Sequence, residues 1–273
     1  MTVASPSPAQ TAARLASHAD ALQALARGAL AALPREPRLH VKLALAAQAH
    51  ADARDGVAIL DRLADLPPAA PPAHGAPGDR AELVDALRSH LADVSPLLDL
   101  PTAELLVGIL FRQRRALEAP VPTAVDAPAP ARDAWIEIGT APASGPGAQL
   151  HATLNAEVLA AEIVAQVAAD GGQLAANRLA DVARLADLHL QAAAAIERAG
   201  AAAGVHWGDH PVSVSPFARM SSLGAAARIE LAAAVAAAAR PEEPADAGVA
   251  LLLEHLRAND IAHGRVAARW NGG

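Results

Sequence analysis

The chain has 273 residues, a formal net charge of −7, 53% hydrophobic residues and 2% aromatics. It contains no cysteine and no tyrosine, which excludes disulfides, thiolate metal sites, cysteine nucleophiles and tyrosyl chemistry. Interspersed negative charge argues against a nucleic-acid or anionic-membrane partner, and the scarcity of aromatic residues argues against a β-sandwich or barrel. An all-α protein is expected, with alanine favouring helix and close helix–helix approach.

Residues 1–9 read as a frayed Ser/Pro/Ala tail. The start, MTVASPSPAQ, has no basic stretch leading into an apolar one, so no secretory signal is expected. The alanine-rich segments carry charges every few positions, so no run is expected to span a membrane, and the expected location is cytoplasmic. Helices are predicted from Ala9 or Gln10 to Leu33 and from Pro37 to Leu66, each stopped by proline. Their apolar stripes run through Leu15, His18, Leu22 and Leu25, and through Leu43, Ala46, His50, Ala53, Val57 and Leu60. After a Pro/Ala/Gly loop, two more helices are predicted at Asp79–Ala92 and Pro101–Leu117.

Residues 119–148 are rich in Pro, Ala and Gly and read as a connector, with one short extended candidate at Trp135–Ile138. Four helices follow at Gln149–Ala169, Leu174–Ala199, Ser221–Ala239 and Ala245–Trp270. The expected organisation is a four-helix bundle over 1–118, the connector, and a second four-helix bundle over 149–273. One offset of 139 residues places Leu15 and His18 on Leu154 and Glu157, and Ala46 and His50 on Leu185 and His189. A shared offset in two helices points to an internal duplication.

Each helix of the second half interrupts its apolar stripe with a polar residue. The interruptions are Glu157 between Leu154 and Ala161, His189 between Leu185 and Ala192, and Glu230 between Ala227 and Ala234. The last helix has two, Asp260 and His263, on the stripe Leu253, Leu256, Ala267, Trp270; three residues apart, they project to the same side. Three carboxylates at one level of a bundle require cations or shared protons: a metal, the two histidines, or a bound cationic ligand. A single Glu at a stripe position can be a phase error, as for Glu230 among its alanines, and a single His is more often a satisfied core residue than a ligand, but four helices repeat the pattern here. His206, Trp207, Asp209 and His210 fall in the loop between the second and third of these helices, either lining a mouth or simply solvated.

Carboxylate helices interleaved with acid-x-x-His helices resemble the ferritin-like di-iron carboxylate family. The runs Asn155-Ala156-Glu157, Gly208-Asp209-His210-Pro211-Val212 and Asn259-Asp260-Ile261-Ala262-His263, with Arg269-Trp270, resemble bacterial ferritin-like proteins of largely unassigned function. The resemblance implies two tandem ferritin-like bundles and a metal site built by Glu157, His189, Glu230, Asp260 and His263. It further implies iron or manganese, one or two ions, serving an oxidase or oxygenase of a small organic substrate, with Glu157, Glu230 and His189 in catalytic roles. The departures are clear. The second helix reads His189-Leu190-Gln191-Ala192 where the family pattern has Glu-x-x-His, and the fourth has Asp260 for Glu. In the first half the acidic positions read His18 and His50, and the last helix carries Arg112, Arg114 and Arg115. An alternative follows: a metal-free ferritin-like protein using the polar cavity for acid–base catalysis or ligand binding. A third reading is a non-catalytic helical partner protein. A small-molecule substrate is the expected partner, and a homodimer is compatible with the chain.

Overall fold

A computed structural model describes residues 6–36, 38–69, 75–121, 146–170, 174–202, 223–240 and 247–271. Among them are eight α-helices and no strand. They are α1 (Pro8–Ala32), α2 (Leu39–Ala64), α3 (Arg80–Asp93), α4 (Leu100–Glu118), α5 (Pro146–Asp170), α6 (Ala176–Ala202), α7 (Ala225–Ala238) and α8 (Ala247–Asn271). Each lies close to its predicted position. The helix starts have physical causes: Asp79 caps α3 by accepting from the Glu82 N–H at 2.9 Å. Asp99 caps α4 through the Thr102 N–H at 3.2 Å, with Pro101 in the first turn. Trp135–Ile138, most of the connector, and His206, Trp207, Asp209 and His210 lie outside the described residues.

The packing separates two units, Met1–Gly28 with Gln48–Val121 and Ala175–Ala180, and Ala29–Ala47 with Pro122–Leu174 and Asp181–Gly273. This differs from a cut at the connector, because Ala29–Ala47 groups with the second unit. That unit contains a buried ion pair. Lys42 is fully buried, donates to the Leu33 carbonyl at 2.8 Å, and pairs with the buried Glu162 of α5.

In the first unit the core is Leu15, Leu22, Ile59, Leu83, Leu87, Leu106 and Ile109. The buried face of α2 keeps only Ala46 and Ala53 of the predicted stripe. It runs through Ala49, Asp52, Gly56 and Ile59, whereas His50 and Val57 are half-buried and Leu60 is exposed. Asp52 tolerates burial because Arg80 grips it at 2.6 Å and the Gln113 amide donates to it at 2.7 Å. Arg112 likewise pairs with the buried Asp55 at 2.7 Å, while Arg114 and Arg115 are exposed.

In the second unit α5 is buried almost all round, by Leu150, Leu154, Val158, Ala161, Ile163, Val164 and Val167. The stretch Gln149–Ala169 is long and apolar enough to cross a membrane by length and composition, with a mean hydropathy of 1.3 and 72% burial. It is not an uninterrupted apolar run, since Glu157 and Glu162 fall within it. Charges spaced along the helix do not lower its mean enough, because alanine and valine fill the rest. The charges that count, Glu157 and Glu162, are buried and paired inside the protein, the pattern of a core helix. The α6 stripe Val182, Leu185, His189, Ala192, Ile196 is buried as the periodicity predicts. The end of α8 is tied to α6, where Asp181 accepts from Arg269 at 2.7 Å and from the Trp270 indole at 3.2 Å.

Candidate functional site

The centre of the second unit is Glu157, contributed by α5 and fully buried. Its Oε2 accepts from His189 Nδ1 of α6 at 2.6 Å. Its Oε1 accepts from Arg240 Nη2 at 2.7 Å. Arg240 lies just past the end of α7, held by its own N–H to the Ala237 carbonyl at 3.1 Å. Its other guanidinium nitrogen, Nη1, pairs with Asp260 of α8. The His263 ring, also from α8, is tilted at 58° against the His189 ring with centroids 5.1 Å apart.

The structure therefore brings four of the five predicted residues together: Glu157, His189, Asp260 and His263. Glu230 is not among them. It lies on the exposed side of α7, whose buried face is Arg228, Ile229, Ala232 and Ala236. The predicted α7 stripe is out of phase with this face. Alanine on every side of Glu230 leaves the periodicity almost silent, and the larger Ile229 decides which side goes in.

The cation that the paired carboxylates require is Arg240, which the sequence reading did not single out. An arginine after an alanine run and before Pro241 reads as an ordinary helix end, where a basic side chain suits the dipole. Its guanidinium instead bridges Glu157 and Asp260, a forked geometry that lysine could not supply.

Protonation follows from these contacts. Burial pushes the Glu157 carboxyl up, but the bonds from His189 and Arg240 outweigh it and hold the group below the usual carboxylate range. His263 is lowered to about 4, first by burial and then by the neighbouring His189, with Glu157 opposing. His263 is thus neutral at pH 7. His189 Nε2 and both His263 ring nitrogens are buried and have no hydrogen-bond partner among the described residues.

These residues do not fit the dinuclear metal centre that the family resemblance implies. Among the described residues, no group of three His, Asp or Glu side chains is arranged to hold a metal ion. The chemistry agrees, because Arg240 satisfies the carboxylates that a metal would otherwise bridge.

The first unit has its own buried histidine pair, made with different partners from those the repeat suggests. His18 Nε2 and His90 Nδ1 are 3.1 Å apart, with ring centroids at 5.2 Å. His50, the other predicted position, is half-buried on α2. Burial and mutual proximity lower His18 to about 3; burial and Arg14 lower His90 to about 4. Neither has a carboxylate bonded to its ring, so this pair lacks the orienting acid that His189 has.

No protein-family model, curated protein or solved structure matches the chain.

Proposed function

We propose that α5–α8 form a ferritin-like four-helix bundle in which an arginine-centred network replaces the metal centre. The interior of this bundle binds a small hydrogen-bonding molecule at His189 and His263 and exchanges a proton with it. One observation carries this reading: Glu157 is bonded to His189 Nδ1 at 2.6 Å, while His189 Nε2 stays buried without a partner among the described residues.

The ionised Glu157 holds the Nδ1–H tautomer, so the lone pair of His189 resides on Nε2. That nitrogen is the proton acceptor. When it takes a proton, the imidazolium formed is stabilised by the adjacent carboxylate, the same orienting logic as an acid–histidine pair in hydrolases. Arg240 keeps Glu157 ionised, and Asp260 positions Arg240. Neutral His263 offers one N–H donor and one lone pair, which suits a ligand that both accepts and donates. Glu230, exposed on α7, has no part in this reading.

The test is nitrogen-15 NMR of the histidine rings across pH. The Nδ1–H tautomer of the neutral His189 ring is expected, and an Nε2–H tautomer overturns the reading. Anaerobic loading with iron(II) or manganese(II) should leave less than about a tenth of an equivalent bound. Stoichiometric uptake would instead support the metal-dependent oxidase.

A further inference from the structure

The outer face of α4 carries an unexpected stripe. Leu100 is 52% exposed, Val107 53% and Phe111 68%. Phe111 is one of only two phenylalanines in the chain. Scattered exposed apolar residues need no explanation, but these are not scattered. With the exposed Glu104, Arg114 and Glu118, they fall at steps of four, three, four, three and four. That is the spacing of a helix seam made to pack against another helix. The opposite face of α4, through Ala103, Leu106, Ile109 and Gln113, is already buried within its own unit. So α4 is apolar on two sides, and among the described residues only one of them is covered.

The stripe is also complementary to itself. Lay a second α4 antiparallel on the first, with the two-fold axis at Ile109. Leu100 then faces Glu118, Glu104 faces Arg114, and Val107 faces Phe111, each pair equidistant from the axis. Glu104 meets the opposite charge of Arg114 and the two central apolar residues meet each other, twice over by symmetry, while Glu118 at the rim lies across from Leu100. Such matching of a patch to its own copy is what an isologous dimer requires. Beside the stripe lies a groove of about 600 Å³, floored by Leu91, Val107, Leu110 and Phe111 and rimmed by Arg114 and Glu118. It is apolar where the opposing Phe111 would arrive. Arg114 is 3.6 Å from Glu118 of its own helix, so in the pair it stands between two carboxylates.

We infer that the chain forms a two-fold homodimer through antiparallel pairing of α4 with α4 of a second copy. The occupant is a second copy rather than an unrelated helix because one two-fold axis pairs Glu104 with Arg114 and Val107 with Phe111 at the same time.

Sedimentation velocity of the full-length chain tests this. The expected species has twice the 27.6 kDa chain mass; a monomer at every concentration overturns the inference. Reversing one charge, Glu104→Arg or Arg114→Glu, turns two attractions into two repulsions and should weaken the dimer about tenfold or more. The double variant Glu104→Arg/Arg114→Glu restores opposite charges and should recover the dimer to within about threefold. Phe111→Asp should abolish it. A dimer indifferent to the single reversals, or unrecovered in the double variant with helical content intact by circular dichroism, also overturns the inference.

Discussion

Arg240 Nη2 stands 2.7 Å from Glu157 Oε1, both side chains withdrawn from solvent and the glutamate fully buried. A positive charge from beyond the end of α7 thus reaches the one carboxylate of α5 that also holds His189. Replacing Arg240 by Met leaves Glu157 charged in an apolar interior with only the imidazole for company. A loss of about 3–5 kcal/mol in unfolding free energy is expected. Because Glu157→Gln removes the charge that needs the partner, the double variant should lose less than the sum of the singles. Urea denaturation of the four proteins measures the coupling, and simple additivity would show that the pair is not coupled.

Lys42 and Glu162 make the second buried pair. Lys42→Met alone should cost about 3–5 kcal/mol, since Glu162 loses its buried ammonium partner. Lys42→Met with Glu162→Leu should recover most of the loss, because apolar side chains of similar size suit the site. Thermal unfolding of the single and double variants checks both statements.

Acid should destabilise the protein well before carboxylates titrate normally. His263 and His90 sit at about 4 and His18 at about 3 in the folded chain, against 6.5 when unfolded. Between those values the unfolded chain binds more protons, so stability rises with pH. The contribution is complete above about 6.5 and is lost as pH falls toward 4, on the order of 3 kcal/mol for His263. Glu157, lowered below 4.5, adds a loss at still lower pH. Asp52 runs the other way: burial raises it against the opposing Arg80 and Gln113, so its stabilisation is present in acid and fades as pH rises past its folded value. The expected observation is a midpoint temperature that drops from pH 7 to pH 4.5, and less steeply in His263→Leu.

Glu230→Ala should change stability by less than about 0.5 kcal/mol and leave the His189 and His263 ring resonances where they are. Movement of those resonances would put Glu230 in the site after all.

The helices were legible because proline, glycine and capping residues punctuate long alanine-rich runs, and those signals act locally. The stripes of α5, α6 and α8 were legible because large residues such as Leu154, Leu185 and Leu256 mark a side that only one or two polar residues interrupt. On α7 the marks are missing, and Glu230 fell on the wrong side. On α2 a stripe drawn through apolar residues rejects Asp52, although Asp52 is buried; its licence to be there comes from Arg80, on another helix. Lys42 and Arg240 were invisible for the same reason. A buried charge is permitted by a partner distant in sequence, and local periodicity carries no information about that partner.

Glu157 and Glu162 are five residues apart on α5, which turns them about 140° from each other and sets them about 7.5 Å apart along the axis. Much of the rest of that helix is Ala and Val, small knobs that could settle at several rotations or slip along their neighbours. Two buried anions aimed in different directions, each met by a cation from a different part of the unit, remove that freedom. Rotating α5 strands one or both of them, and sliding it by a turn strands both. The polar residues of this core thereby serve as a key cut on two sides, which gives an alanine-rich helix one angle and one depth.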